Sequence, residues 1–138
     1  MKKTKEAQVS LNKIDLVSIS YEENSKFKFP NTQLTVVFEI GTKHRIIKEK
    51  LSCILDERVI VFPEIEQSPF CLTVEMRGIF SVKKEEQLNI LEEFCKTNAP
   101  SIIFPYIRSI VSDITSRSSF PTLNLPLVDM SGDDLREK

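Results

Sequence analysis

Between Ile102 and Ile114 one stretch carries more apolar side chains than a helix lying on a single surface can hide. Ile103, Ile107, Ile110 and Ile114 recur at spacings of four, three and four, which draws a continuous seam down one side of a helix. Phe104, Tyr106 and Val111 fall beside or away from that seam. A helix apolar over so much of its circumference needs two partners, and one sheet face supplies only one. Each large side chain removed from water contributes about 1.5–3 kcal/mol, so a lone subunit would leave an unfavourable patch in solvent. The second partner is either more of the same chain or another copy of it. Pro105 fits the first turn or a kink, since a proline deeper in a helix costs about 3 kcal/mol. The helix is expected to end after Ser119.

The segments before it read mainly as strands. From Val9 to Tyr21 the apolar positions alternate but change phase twice, which predicts one long strand with a bulge or bend. Glu22 to Lys26 is a polar turn, and Phe27 and Phe29 follow where regular structure is lost. Leu34, Val36, Phe38 and Ile40 predict a second strand ending at Gly41-Thr42-Lys43. Ile47, Leu51, Cys53 and Leu55 predict a third, turned by Asp56-Glu57-Arg58. Val59 to Phe62 is apolar on both sides, either a strand extension or an exposed apolar surface, and the prolines at 63 and 69 bound an acidic loop. In the clearest strand Phe70, Leu72, Val74 and Met76 take one face and Cys71, Thr73, Glu75 and Arg77 the other, until Gly78 ends or bends it. Lys83 to Glu86 opens an amphipathic helix with Leu88, Leu91, Phe94 and Cys95 inward, and Asn98 is placed to cap the next. The fold class is α+β, a four-stranded antiparallel sheet with two helices packed on one face. At 138 residues the chain should be one domain, 1–138, with residues 1–8 and 131–138 loose.

Composition removes several function classes. With 19 basic and 20 acidic residues the net charge is −1, so no basic field favours nucleic acid. Neither a signal peptide nor a run near the roughly 20 apolar residues of a membrane span is visible, which places the chain in the cytoplasm without membrane insertion. Cys53, Cys71 and Cys95 lack metal-ligand spacing and each reads as a small buried hydrophobe, so neither metal nor other cofactor is expected. No Gly-x-Ser-x-Gly, phosphate loop or His-Glu-x-x-His occurs. His44 beside Arg45 reads as solvated, and Glu92-Glu93 as a helix surface with Glu92 paired to Lys96. Catalytic residues are not expected, and the chain is not read as an enzyme.

Phe104-Pro105-Tyr106 with Arg108, then Ser116-Arg117, Phe120-Pro121 and Leu123-Asn124-Leu125, preceded by Gly78-Ile79-Phe80-Ser81, resembles the signature of the SecB protein-export chaperones. The resemblance is strong from Phe70 to Val128 and weaker before. It implies an ATP-independent holdase that binds unfolded or non-native polypeptides and keeps them competent for export or folding. It also implies a homotetramer, a dimer of dimers, with the long helices sandwiched between sheets. Phe70, Leu72, Val74 and Met76 match strand positions of that layer, and Ile103, Ile107, Ile110 and Ile114 supply its helix seam. For docking on the SecA motor, Glu22 matches an acidic family position, whereas Thr73 and Ser18 replace acidic residues. The near-neutral balance departs from the family's acidic docking surface as well. Weak SecA docking follows, with a dedicated chaperone of an antitoxin in a toxin–antitoxin system as the alternative. Past Val128 the chain has no room for the full further helix and tail of the best-known members.

Clients should meet apolar residues that strand or helix periodicity does not bury. Phe27, Phe29, Ile60, Phe62, Leu123, Leu125 and Leu127 are the candidates, and anchoring of their own loops is the competing reading. A small-ligand binding module on the same α+β plan is the rival function.

Overall fold

Two interruptions in the alternation of the first strand set the shape of one sheet edge. The computed structural model describes residues 8–31 and 33–130. Its first strand, β1 (Ser10–Glu23), pairs antiparallel with β4 (Phe70–Ser81). The register slips between Leu11 and Lys13 and again between Leu16 and Ser18, where the apolar pattern changes phase. Each slip restores the side chains to one side, so Leu11, Ile14, Leu16, Ile19 and Tyr21 all share the face of Phe80, Gly78, Met76, Val74 and Leu72.

β2 (Phe38–Ile47) and β3 (Ser52–Val61) complete an antiparallel sheet of order β1-β4-β3-β2. β2, β3 and β4 form a meander, and β1 reaches its place beside β4 through the long crossing from Asn24 to Val37, a Greek-key arrangement. The helices α1 (Leu88–Thr97) and α2 (Ala99–Ser116) cover one face, as the α+β reading expects. Residues 1–7 and 131–138, expected to be loose, lie outside the described residues; Gln8 is exposed.

Two expected turns are strand interior. Gly41-Thr42-Lys43 continues β2, and the hairpin closes instead at Lys48–Lys50 with Leu51 in the left-handed region at φ 49°. Leu34 to Val37, assigned from alternation to a strand, is irregular. Asp56-Glu57-Arg58 lies in the middle of β3 because its outer charges have partners on β4. Arg77 donates to both Asp56 oxygens, at 2.7 and 3.2 Å, and Arg58 Nε lies 2.9 Å from Glu75 Oε1. A charged triplet that resembles a turn is thus a pair of cross-strand ion pairs flanking one inward residue.

Gly78 does not end β4 either. A β carbon there would lie 2.7 Å from Ile103 Cδ1 and 2.8 Å from Phe80 Cε2, so its missing side chain is what admits α2 to the sheet. Gly78→Ala is expected to cost about 1–3 kcal/mol through overpacking, read as a lower urea midpoint with unchanged slope.

Along α2 the fully buried line is Ile103, Ile107 and Val111, with Phe104 and Thr115 also buried, rather than Ile103, Ile107, Ile110 and Ile114. A spacing of four drifts by about 40° per step on a helix, which carries the buried stripe across to Val111 and leaves Ile110 and Ile114 half-buried on its flank. Pro105 is the seventh residue of α2 and points to solvent. Asn98 does not cap α2 through its side chain; its Oδ1 accepts from the Thr97 hydroxyl at 2.8 Å. In α1, Leu91 and Cys95 are buried, while Leu88 and Phe94 are half-buried.

Candidate functional site

Six aromatic rings converge where β1 and β3 end, β4 begins and the crossing segment starts. Phe70, the first residue of β4, is the hub, with ring centroids of Tyr21, Phe62 and Phe120 at 5.5, 5.1 and 5.6 Å. Phe120 continues to Phe29 at 5.5 Å, and Phe29 to Phe27 at 5.1 Å edge-on. The row climbs from the core to the surface: Phe62 and Phe70 are buried, Phe27 and Phe120 half-buried, and Phe29 is 58% exposed.

Local backbone features hold the rings in place. Phe62 has φ 55°, a strained value for a bulky side chain, and its N–H donates to the Val37 carbonyl at 2.8 Å. The strained residue turns the chain out of β3 and leaves its ring on Phe70. Asn24 pins the start of the crossing to the loop before β4. Its side-chain amide donates to the Ile65 and Ser68 carbonyls, both at 3.0 Å, and its backbone N–H to the Pro69 carbonyl at 2.9 Å. Nothing in the spacing marked Asn24 as more than a turn residue, because its partners lie over 40 positions away.

After α2 the chain doubles back along it. Leu123 N–H donates to Thr115 Oγ1 at 2.8 Å, Ser112 Oγ lies 3.0 Å from Asn124 Oδ1, and Arg108 Nε donates to the Leu125 carbonyl at 2.9 Å. This latch buries Leu125 and Met130, half-buries Leu123, and leaves Leu127 86% exposed.

The expected client residues therefore divide. Phe27, Phe29 and Phe62 meet in the aromatic row, with Phe62 as its buried floor rather than an exposed surface. Leu125 is consumed by the core, a correction imposed by the latch. Ile60 pairs with Thr73 on the helix-free face, across the sheet from the rings. Tyr21, Phe70 and Phe120 join the site unforeseen, since only the fold brings together positions so distant in sequence.

The expected assembly residues divide too. Phe70, Leu72, Val74, Met76, Ile103 and Ile107 are buried in the chain's own core, which leaves them no surface to offer another copy. What stays uncovered is the helix-side row of β1, where Leu11, Leu16 and Ile19 are exposed, Leu16 by 51%. On α2, Tyr106 is 49% exposed, and Ile102 and Ile110 are half-buried on the flank turned away from the latch. The row and the flank lie on the same side of the sheet.

The helix-free face carries Lys13, Lys43, Arg45, Arg58 and Arg77 against Asp15, Glu22, Glu39, Asp56 and Glu75, an even balance among the described residues. Glu22 and Thr73 both lie on it. A shallow depression of about 260 Å³ there is lined by Lys43, Asp56, Arg58 and Glu75. On the opposite, helix-covered face Glu57 is fully buried, and neither carboxyl oxygen has a hydrogen-bond partner among the described residues. Loss of hydration pushes its pKa up to about 8. Among the described residues no cluster of His, Cys, Asp or Glu could hold a metal ion, and no helix is long and apolar enough to cross a membrane.

Residues 2–132 match the family described as preprotein translocase subunit SecB. The protein-export protein SecB of Buchnera aphidicola is 32% identical over 121 residues, covering 79% of this chain and 75% of that one. SecB of Anaplasma phagocytophilum is 34% identical over 70 residues, 49% of this chain and 44% of that one. An uncharacterized protein of Methanocaldococcus jannaschii, MJ0357, is 35% identical over 69 residues and is likewise matched over 44% of its length, so the alignment spans less than half of these two relatives. Among solved structures, the Rv1957 SecB-like chaperone of Mycobacterium tuberculosis, in complex with a ChAD peptide from the Rv1956 HigA1 antitoxin, superposes with a TM-score of 0.69 at 19% identity, covering 88% of this chain and 91% of that one. The match over residues 2–132 and the Greek-key sheet with its paired helices agree: the chain belongs to the SecB family.

Proposed function

We propose that this protein is an ATP-independent holdase that captures non-native polypeptides on the aromatic row and keeps them competent for export or folding. The observation that carries the reading is the graded row itself, a buried floor of Phe62 and Phe70 opening to a solvent-facing Phe29. Extended chains present scattered aromatic and aliphatic side chains, and a ring surface that asks for no particular hydrogen bond accepts many of them. Holding needs no nucleophile or acid–base pair. Membership of a family whose relatives are named protein-export proteins points the same way.

The working form is a cytoplasmic homotetramer. The row of Leu11, Leu16 and Ile19 with the Tyr106 flank is the surface that assembly covers, and it replaces the strand residues expected from sequence. SecA docking is disfavoured by the balanced charge of the helix-free face and by Thr73. An antitoxin-dedicated chaperone is the second reading, supported by the fold of the Rv1957 protein, whose structure includes an antitoxin peptide.

The purified protein is expected to suppress aggregation of a denatured, unrelated polypeptide equally well with and without ATP. Phe29→Ser should weaken that capture about fivefold or more. Unchanged light scattering at stoichiometric amounts of the parent, or saturation by one small ligand with no effect on aggregation, would favour the ligand-binding alternative.

A further inference from the structure

The charges of the helix-free face balance in number but not in place. Toward the β2–β3 hairpin Lys13, Lys43, Arg45 and Arg77 stand against Asp15 and Asp56, whereas toward the aromatic end Arg58 stands against Glu22, Glu39 and Glu75. Asp56 is committed to Arg77. Lys43 and Arg45 are exposed and, like Lys48 and Lys50 at the hairpin tip, form no ion pair among the described residues. One acidic residue, Glu49, lies between the two tip lysines.

Within this basic half, one rung of the sheet combines charge with apolar surface. Register places Arg45, Ile54, Ile79 and Lys13 in line across β2, β3, β4 and β1, so two half-buried isoleucines lie between two exposed cations. The Lys13–Asp15 contact, 3.5 Å between largely exposed side chains, is weak enough to yield to a competitor. Neighbouring strands lie about 4.8 Å apart, which sets the backbones of Arg45 and Lys13 about 14 Å apart. Residues i and i+4 of an extended chain are also about 14 Å apart, and the residue midway points to the same side.

We propose that this rung docks an acidic segment of a partner polypeptide, an extended stretch with two carboxylates four positions apart and an aliphatic residue midway. The carboxylates meet Arg45 and Lys13, and the aliphatic side chain lies on Ile54 and Ile79. A peptide is the occupant because it can leave its intervening positions uncharged. Nucleic acid or an anionic lipid layer carries charge throughout and would meet Asp15, Asp56 and Glu49, and no aromatic side chain lies on this face of the strands for a base to stack on. The aromatic row lies at the opposite end of the strands, so the two sites are separate. Because the basic and acidic halves of the face cancel at a distance, the rung holds a segment that has arrived rather than drawing one in.

The test is fluorescence anisotropy of the full chain with a labelled peptide, Glu-Ser-Ile-Ser-Glu, flanked by glycine and serine. Binding should weaken about tenfold when glutamine replaces both glutamates, and equally in Arg45→Glu, whose melting and suppression of aggregation should match the parent's. The peptide Lys-Ser-Ile-Ser-Glu should bind Arg45→Glu more tightly than it binds the parent, a reversal that a merely structural role for Arg45 would not produce. Phe29→Ser should bind the first peptide as the parent does. No binding at about 1 mM peptide, equal binding of the glutamine peptide, tighter binding of single-stranded DNA or phosphatidylserine vesicles, or loss of binding in Phe29→Ser would overturn the proposal.

Discussion

Glu57→Gln is expected to stabilise the protein by about 3 kcal/mol at pH 7 and by close to 5 above pH 9, while changing little near pH 4. Glu57 is held on the helix side of β3 between Thr42 and Met76, with no exposed surface and with loss of hydration as the cause of its raised pKa. The folded-state value, about 8, lies above the unfolded 4.5. For an acid shifted this way the folded protein binds the extra proton, so stability is fullest below the unfolded value and declines as pH rises toward the folded one. Above that value the loss is complete and constant. Gln cannot ionise, so the variant removes the decline but keeps a buried amide; Glu57→Met removes both and should gain somewhat more. Urea unfolding from pH 4 to 9 reads the difference directly. Parallel profiles for parent and variant would mean the carboxylate finds a compensating partner.

Ile107→Asp is expected to unfold the subunit, whereas Leu16→Asp should dissociate the proposed tetramer and leave the subunit folded. The two residues look alike in the sequence, but Ile107 has no exposed surface and lies in the core formed with the sheet. An unpaired carboxylate there adds the cost of burying charge to the lost packing, about 4 kcal/mol or more, most of the stability a domain of this size has. Leu16 is half-exposed, so in the lone subunit the same change falls within about 0.5–1 kcal/mol. Sedimentation and circular dichroism on both proteins separate the cases. A Leu16→Asp protein that stays tetrameric places the interface elsewhere, and a folded Ile107→Asp protein contradicts the core.

Much of the fold was legible because local pattern and tertiary burial agreed. The phase changes in β1 fall at its two register slips, and the alternation of β4 is the alternation of its burial. The β2–β3 hairpin was misplaced because local rules read glycine and charge clusters as turns. Arg58 and Asp56 are satisfied by Glu75 and Arg77, some twenty positions on, which no local rule can see. The site was half legible for the same reason. Phe27 and Phe29 stand out in an irregular stretch, but Phe70 follows a perfect strand pattern and reveals its role as hub only once Tyr21, Phe62 and Phe120 arrive around it. Helix periodicity placed Ile110 and Ile114 in the stripe because steps of four, three and four stay on one side of a helix, whereas the buried line Ile103, Ile107, Val111 and Thr115 runs in steps of four and drifts away from them.

The ion pairs across β3 and β4 also govern how quickly another macromolecule can find this protein. Neighbouring plus and minus charges cancel within a few ångströms of the surface, so an approaching chain feels no long-range pull and is not oriented before it touches. Encounters at that face should proceed at rates nearly indifferent to added salt, governed by collision and by how long apolar contacts persist afterwards.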